Sequence, residues 1–309
     1  MKEKILAQDR DHLKLLIEQE IIKHGLNCNL NHIELSLIND ISYLFYKSNF
    51  CGDISQWDTS NVEYIQGMFA YSRFNGDISQ WNTSNVKNMN GVFYGSQFNK
   101  DISSWNTSNV VDMQAMFSHS SFTGNISNWN VSNVENMVEV FAYSKFSGDI
   151  SQWNVSNVKR MIDMFSYSQF DGDIGQWDVS NVQNMHAMFT QSKFNGNISK
   201  WNVSNVKDMS YMFKNSQFND DISGWNVSNV EDMSYMFGHS QFTGDVSQWY
   251  CIKIQDIKEM FHHCKAPEPY WAQIEDFEDR VLVINTYHTK KLLDKNINKF
   301  RLVEKNFKL

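Results

Sequence analysis

Residues 74–97 read FNGDISQWNTSNVKNMNGVFYGSQ, and near-copies of this stretch lie directly before and after it. Trp57, Trp81, Trp105, Trp129, Trp153, Trp177, Trp201, Trp225 and Trp249 follow one another at intervals of 24 residues. Nine units therefore begin at Phe50, Phe74, Phe98, Phe122, Phe146, Phe170, Phe194, Phe218 and Phe242, with no insertion or deletion between them. Phe also fills position 20 of every unit, from Phe69 to Phe261, and every Met except Met1 falls at position 16 or 19. Such fidelity means that each unit builds the same piece of core. One unit cannot bury its apolar face alone, so the units must stack.

Within a unit, apolar residues recur at positions 5, 8, 10 and 13, as in Ile150, Trp153, Val155 and Val158. That is the spacing of a leucine-rich repeat with Trp in place of one Leu. Positions 7–10 predict a short strand with 8 and 10 inward and 7 and 9 outward. Positions 13, 16, 19 and 20 predict the buried face of a short helix. Ser at position 11 would cap it, with capping boxes at Ser60/Glu63, Ser132/Glu135 and Ser228/Glu231. The expected fold is an α/β solenoid, a leucine-rich-repeat-like stack of about ten coils with one strand and one helix each and a helical cap at both ends.

Three segments follow. Residues 1–25 are the N-terminal cap, an amphipathic helix over 3–24 closed by Gly25, with Ile5, Leu6, Leu13, Leu16, Ile17 and Ile21 on its stripe. Residues 26–265 are the solenoid. Its first coil, 26–49, is degenerate: Leu30, Ile38, Ile41, Leu44, Phe45 and Ser48 keep register but Trp is missing; 50–265 are the nine regular repeats. Residues 266–309 are a C-terminal cap and basic tail, where Trp271, Ile274, Phe277, Val281, Ile284, Leu292 and Leu293 suggest a second helix.

The motif GDISQWNxSNVxxMxxMF, carried across residues 50–261, resembles the BspA-like leucine-rich repeat family in its short-repeat form. That form is common in bacterial surface proteins and predicted lipoproteins. The resemblance implies the leucine-rich-repeat fold and a part in adhesion or host interaction. It implies no active site, because the family shares none. The opening MKEKILAQDRDHLKLL holds no export signal and no lipobox Cys, so a cytoplasmic location is the default expectation even though the family is often found on the cell surface.

Net charge is −8 over 309 residues. This is not the basic footprint of a nucleic-acid binder, and nucleic acid is not the expected partner. The basic tail (Lys290, Lys291, Lys295, Lys299, Arg301, Lys305, Lys308) reads as a solvated terminus. Cys28, Cys51, Cys251 and Cys264 are too sparse for a disulfide framework. No run reaches the ~18 apolar residues of a membrane span.

Position 4 is Asp53, Asp77, Asp101, Asp149, Asp173, Asp221 and Asp245, a possible ladder of cation sites. Asn125 and Asn197 replace Asp in two repeats, which keeps an acceptor and drops the charge; acceptors for turn N–H groups are expected instead. Asn at position 12, from Asn61 to Asn229, reads as a structural amide ladder. Cys251, His262, His263 and Cys264 match no usual spacing of zinc ligands, so no metal is expected. There is no nucleophile–base pair and no Gly-rich phosphate loop. Neither an enzyme nor a cofactor is expected.

Positions 7 and 9 form a uniform, amide-rich strip poor in the aromatics that dominate protein hot spots. The opposite side varies. Val138 and Ile162 replace polar residues at position 17, Tyr143 and Tyr167 fill position 22 of the same repeats, and Val111 stands one coil earlier. An exposed cluster of these five residues is the expected binding site. The expected function is a non-enzymatic protein-interaction scaffold, an adhesion protein or an intracellular binder, monomeric or weakly oligomeric, whose partner is another protein. An acidic decoy that mimics nucleic acid and a structural spacer are the alternatives.

Overall fold

The tryptophans that set the period all turn inward, and each indole N–H crosses to the preceding repeat. Trp81 Nε1 donates to the carbonyl of Ile54 and Trp153 Nε1 to that of Ile126, both at 3.1 Å. The same bond recurs from Trp57 to Trp249. Burying an indole leaves one donor to satisfy, and here a neighbouring repeat satisfies it. In the computed structural model, which describes residues 3–306 and the side chains of 3–299, the repeats lie side by side in register. Parallel bridges join Asp40 to Tyr64, Tyr64 to Asn88 and onward to Asp232 and Asp256, always between residues 24 apart. The chain is a repeat protein, and residues 26–49 stack on it as one more copy.

The core is a set of aromatic columns. The rings at position 20 stack at 5.8 Å between Phe69 and Phe93 and at 5.8 Å between Phe141 and Phe165. Each also meets the Phe that opens the next repeat: Phe69 lies 4.5 Å from Phe74. Met89, Met113, Met161 and Met164 fill the remaining space and are fully buried.

The expected strand and helix of each repeat are not there. Among the described residues the regular elements are β1 (Ile5–Leu6), α1 (Arg10–His24), β2 (Ile33–Glu34) and α2 (Phe277–Asn306). The alternation at positions 7–10 holds, since Gln152 and Asn154 are exposed and Trp153 and Val155 buried, but no bridge forms there. Apart from Asn29–Asp53 at position 4, the bridges between repeats fall at position 15, inside the segment read as helical.

That segment is a run of tight turns. The N–H groups of positions 16, 18, 20 and 22 reach carbonyls of the following repeat: Ile65 to Asn88, Gly67 to Asn90, Phe69 to Val92, Tyr71 to Tyr94. Positions 19, 21 and 23 bond back three residues, as Met68 does to Ile65 and Ser72 to Phe69. Positions 18 and 22 are left-handed throughout, from Tyr43 and Lys47 to Glu259 and His263. A left-handed third residue is the mark of a type II turn and excludes a helix. An isolated eight-residue helix is marginal, whereas an identical neighbour on each side offers every second amide a partner. The inter-repeat bonds win.

At the N-terminal end, Ile5 and Leu6 are not on the helix. They pair in parallel with Ile33 and Glu34 at the edge of the first coil. The helix begins at Arg10, with Asp9 accepting from the His12 N–H at 2.8 Å, and ends at Gly25, whose φ is +84°. Leu13, Leu16 and Ile17 are buried in the shared core. At the other end, Trp271 and Ile284 are fully buried while Phe277, Leu292 and Leu293 are exposed, and along its first half α2 meets the last repeat through polar side chains, with Tyr287 and Lys291 on Gln248 and Asn285 on the Tyr250 hydroxyl. Arg280 there is buried and donates to the carbonyls of Ile254, Ile274 and Glu275. Of the basic tail, the side chains of Arg301, Lys305 and Lys308 lie outside the described residues.

Candidate functional site

The left-handed turns put the side chains of position 22 on the outside of the stack, one above another. Where they are aromatic they stack: His119 on Tyr143 at 4.3 Å and 8°, Tyr143 on Tyr167 at 4.3 Å and 10°. Gln191 continues the column and donates to the Tyr167 hydroxyl at 3.1 Å. Toward the N-terminus the rings zigzag between positions 18, 21 and 22, with Tyr71 edge-on to Tyr46 at 6.1 Å and to Tyr94 at 5.0 Å, and Tyr94 5.5 Å from His119. Toward the C-terminus, Tyr211 and Tyr235 stack at 4.9 Å with Lys214 over both. One side of the molecule is thus an aromatic ribbon.

Because the rings of Tyr143 and Tyr167 cover each other's faces, what they offer outward is edges and hydroxyls. Ring edges carry the positive end of the quadrupole and suit carbonyl and carboxylate oxygens. A hydrogen bond with Tyr71, together with burial, pushes Tyr94 up to about 12. Burial raises Tyr143, with Tyr167 adding to the shift.

The five residues expected to form one exposed cluster are dispersed. Tyr143 and Tyr167 are exposed and stacked. Val138 is only 8% exposed, because position 17 sits in a turn whose backbone is bonded to both neighbours. Ile162 is half-buried. Val111 is exposed but stands in the column of position 14, between the ion pairs Glu63–Lys87 and Glu135–Lys159. The ribbon beyond Tyr143 and Tyr167 was not legible, because the left-handed backbone that aligns the side chains of positions 18 and 22 leaves no mark in composition.

Other columns have structural partners. The Asp at position 4 accepts from the backbone N–H two residues on: Asp77 from Ser79 and Asp149 from Ser151, both at 2.9 Å. Asn125 and Asn197 do the same toward Ser127 and Ser199. Asn157 Nδ2 donates to the Ser132 carbonyl at 2.7 Å, a bond repeated from Asn61 to Asn229. Even the outward Asn154 is used, accepting from the Ser156 N–H at 3.1 Å.

The structure also gathers three histidines. His239 and His263 hold position 22 of the last two repeats, and His262 precedes His263. One ring nitrogen from each can lie within 4.8 Å of the others, and all three are exposed. The signal was in the sequence, since equal positions in adjacent repeats are neighbours in space.

A stacked repeat protein with an exposed aromatic ribbon is thus the class that fold and surface define. The chain belongs to the family described as Mycoplasma protein of unknown function, DUF285, whose model matches residues 19–122, 96–193 and 166–273. No curated protein and no solved structure matches it. Among the described residues, no helix is long and apolar enough to cross a membrane.

Proposed function

We propose that the stack is a leucine-rich-repeat-like solenoid of the BspA-like kind that serves as a non-enzymatic protein-interaction scaffold, and that its partner binds along the aromatic ribbon at Tyr143 and Tyr167. One observation carries this reading: the two rings are exposed by 47% and 38% yet held rigidly face to face at 4.3 Å. Rigid aromatics give contact area at little cost in entropy, which is why they anchor protein interfaces. Their outward edges and hydroxyls match the carbonyls of a polypeptide better than the apolar face of a sugar, which would need an uncovered ring.

The sequence-based cluster is narrowed accordingly. Tyr143 and Tyr167 are the contact residues, Ile162 is half-buried in the same repeat as Tyr167, and the buried Val138 and the distant Val111 fall outside the site. The pairing of Glu63 with Lys87 and Glu135 with Lys159 weighs against an acidic decoy, because it neutralises the column where carboxylates could have aligned.

The test compares Tyr143→Asn/Tyr167→Asn with Gln152→Ala/Asn154→Ala. Asn already stands at position 22 as Asn215 with φ of 55°, so the fold accepts it. Affinity capture should retain a discrete protein on the wild type and on the second variant, and lose it on the first. Retention by the first and loss by the second would place the site on the opposite face. Capture of nothing by the wild type would leave the spacer reading.

A further inference from the structure

We propose that His239, His262 and His263 form a binding site for a divalent transition metal ion of the zinc class, at the C-terminal end of the aromatic ribbon. The site is assembled by the stacking itself. His239 donates its backbone N–H to the His262 carbonyl at 2.7 Å, which fixes the eighth repeat against the ninth at this point. The rings lie 4.1 Å (His262–His263), 4.7 Å (His239–His263) and 5.2 Å (His239–His262) apart. The left-handed backbone at His239 and His263, φ of 57° and 53°, holds both side chains on the same outer face.

Three imidazole nitrogens within 4.8 Å of one another are close to a ligand set. In a tetrahedral zinc site with Zn–N bonds near 2.05 Å, neighbouring nitrogens stand about 3.3 Å apart. Rotation of the exposed rings about their side-chain bonds covers the difference, with no change of backbone. Imidazole selects zinc, copper or nickel over magnesium and calcium. The neutral imidazole is the ligand, so uptake of the metal competes with protons and weakens at acid pH. Cys264 is not part of the set: its Sγ turns inward to the carbonyl of Phe242 at 3.3 Å and the hydroxyl of Ser240 at 3.6 Å. Three histidines leave the fourth position to water or to a group from outside the chain.

The experiment is calorimetric titration of the tag-free, full-length chain with Zn2+, and separately with Mg2+. The expected result is one Zn2+ per chain, no Mg2+ uptake, and affinity for Zn2+ reduced at least tenfold in both His239→Asn and His263→Asn. His119→Asn alters a histidine of the same column that has no histidine neighbours, and should leave the affinity unchanged. All three variants put Asn where Asn215 already stands, so the melting temperature without metal verifies that they fold. No saturable uptake of Zn2+ would overturn the site, as would uptake indifferent to His239→Asn and His263→Asn.

Discussion

The indole N–H of Trp153 is bonded to the carbonyl of Ile126, 27 residues earlier, at 3.1 Å. This bond joins two repeats through a side chain in the middle of the core, and each Trp of the column makes its equivalent. Trp153 therefore holds the stack in two ways, by filling space and by giving a second, inter-repeat donor to a carbonyl that also accepts from the Trp129 N–H at 3.2 Å. Trp153→Ala should cost ~3–5 kcal/mol, the range for deleting a large buried aromatic. Trp153→Phe keeps much of the volume and removes the donor, and should still cost about 0.5–1.5 kcal/mol, the net worth of one hydrogen bond, because the Ile126 carbonyl keeps the Trp129 N–H. Urea melts of the two variants beside the wild type measure both terms; a Phe variant as stable as wild type would mean the bond contributes nothing.

Two carboxylates should move stability with pH in opposite directions. The N–H of Ser151 holds Asp149 below the ordinary carboxylate range. A depressed folded value means that the stabilisation exists above about pH 4, where the unfolded group ionises, and is lost as pH falls through the folded value. Burial raises Asp163 instead, against a smaller opposing effect of Ser166. A raised value means no penalty below about pH 4 and a penalty that grows as pH rises through the folded value. Asp149→Asn should therefore melt slightly below wild type at pH 7 and match it near pH 3. Asp163→Asn, at a left-handed position that Asn tolerates, should melt above wild type at pH 7 and lose that advantage near pH 3. Melting temperatures at the two pH values decide both, and a chelator should leave the Asp149 column unaffected.

Gly67 and Gly91 share position 18 and nearly the same φ, +60° and +61°, but not the same surroundings. A Cβ on Gly67 would lie 2.3 Å from the Tyr43 ring, whereas on Gly91 its nearest neighbour is 3.8 Å away. Gly91→Ala should cost only the left-handed strain, about 1 kcal/mol, as Ala115 and Ala187 already bear. Gly67→Ala should cost more, because Tyr43 must move. Adding Tyr43→Ala should bring the two substitutions level, and a double-mutant cycle gives the difference.

The stack was legible because repetition fixes register: Trp at every 24th residue leaves no other pairing in which all apolar columns meet. The inside–outside pattern at positions 7–10 was legible for the same reason. The local conformation was not. Apolar residues at 13, 16, 19 and 20 suit a helix, but they suit equally a series of three-residue turns, and what separates the two is the left-handed backbone at 18 and 22. Those positions are held by Tyr, Ala, Glu, Asp, His and Gln as well as Gly, so composition conceals them. The same misreading credited Val138 with an exposure it lacks. Tyr143 and Tyr167 drew notice because they share repeats with Val138 and Ile162, which differ from their counterparts, whereas the histidines were set aside because their spacing along the chain matches no usual pair of zinc ligands.

Every joint between repeats is made the same way, with amides of positions 16, 18, 20 and 22 pointing forward into the carbonyls of the next copy. The stack therefore has a direction, and its joints are interchangeable. A recombination event that deleted or duplicated 24 residues anywhere between Phe50 and Lys265 would rejoin two surfaces that already fit. The gene can thus change length in whole repeats without passing through an unfolded product. Such a change would lengthen or shorten the aromatic ribbon, shift its Tyr and His residues relative to one another, and so vary what the surface recognises while the core stays the same.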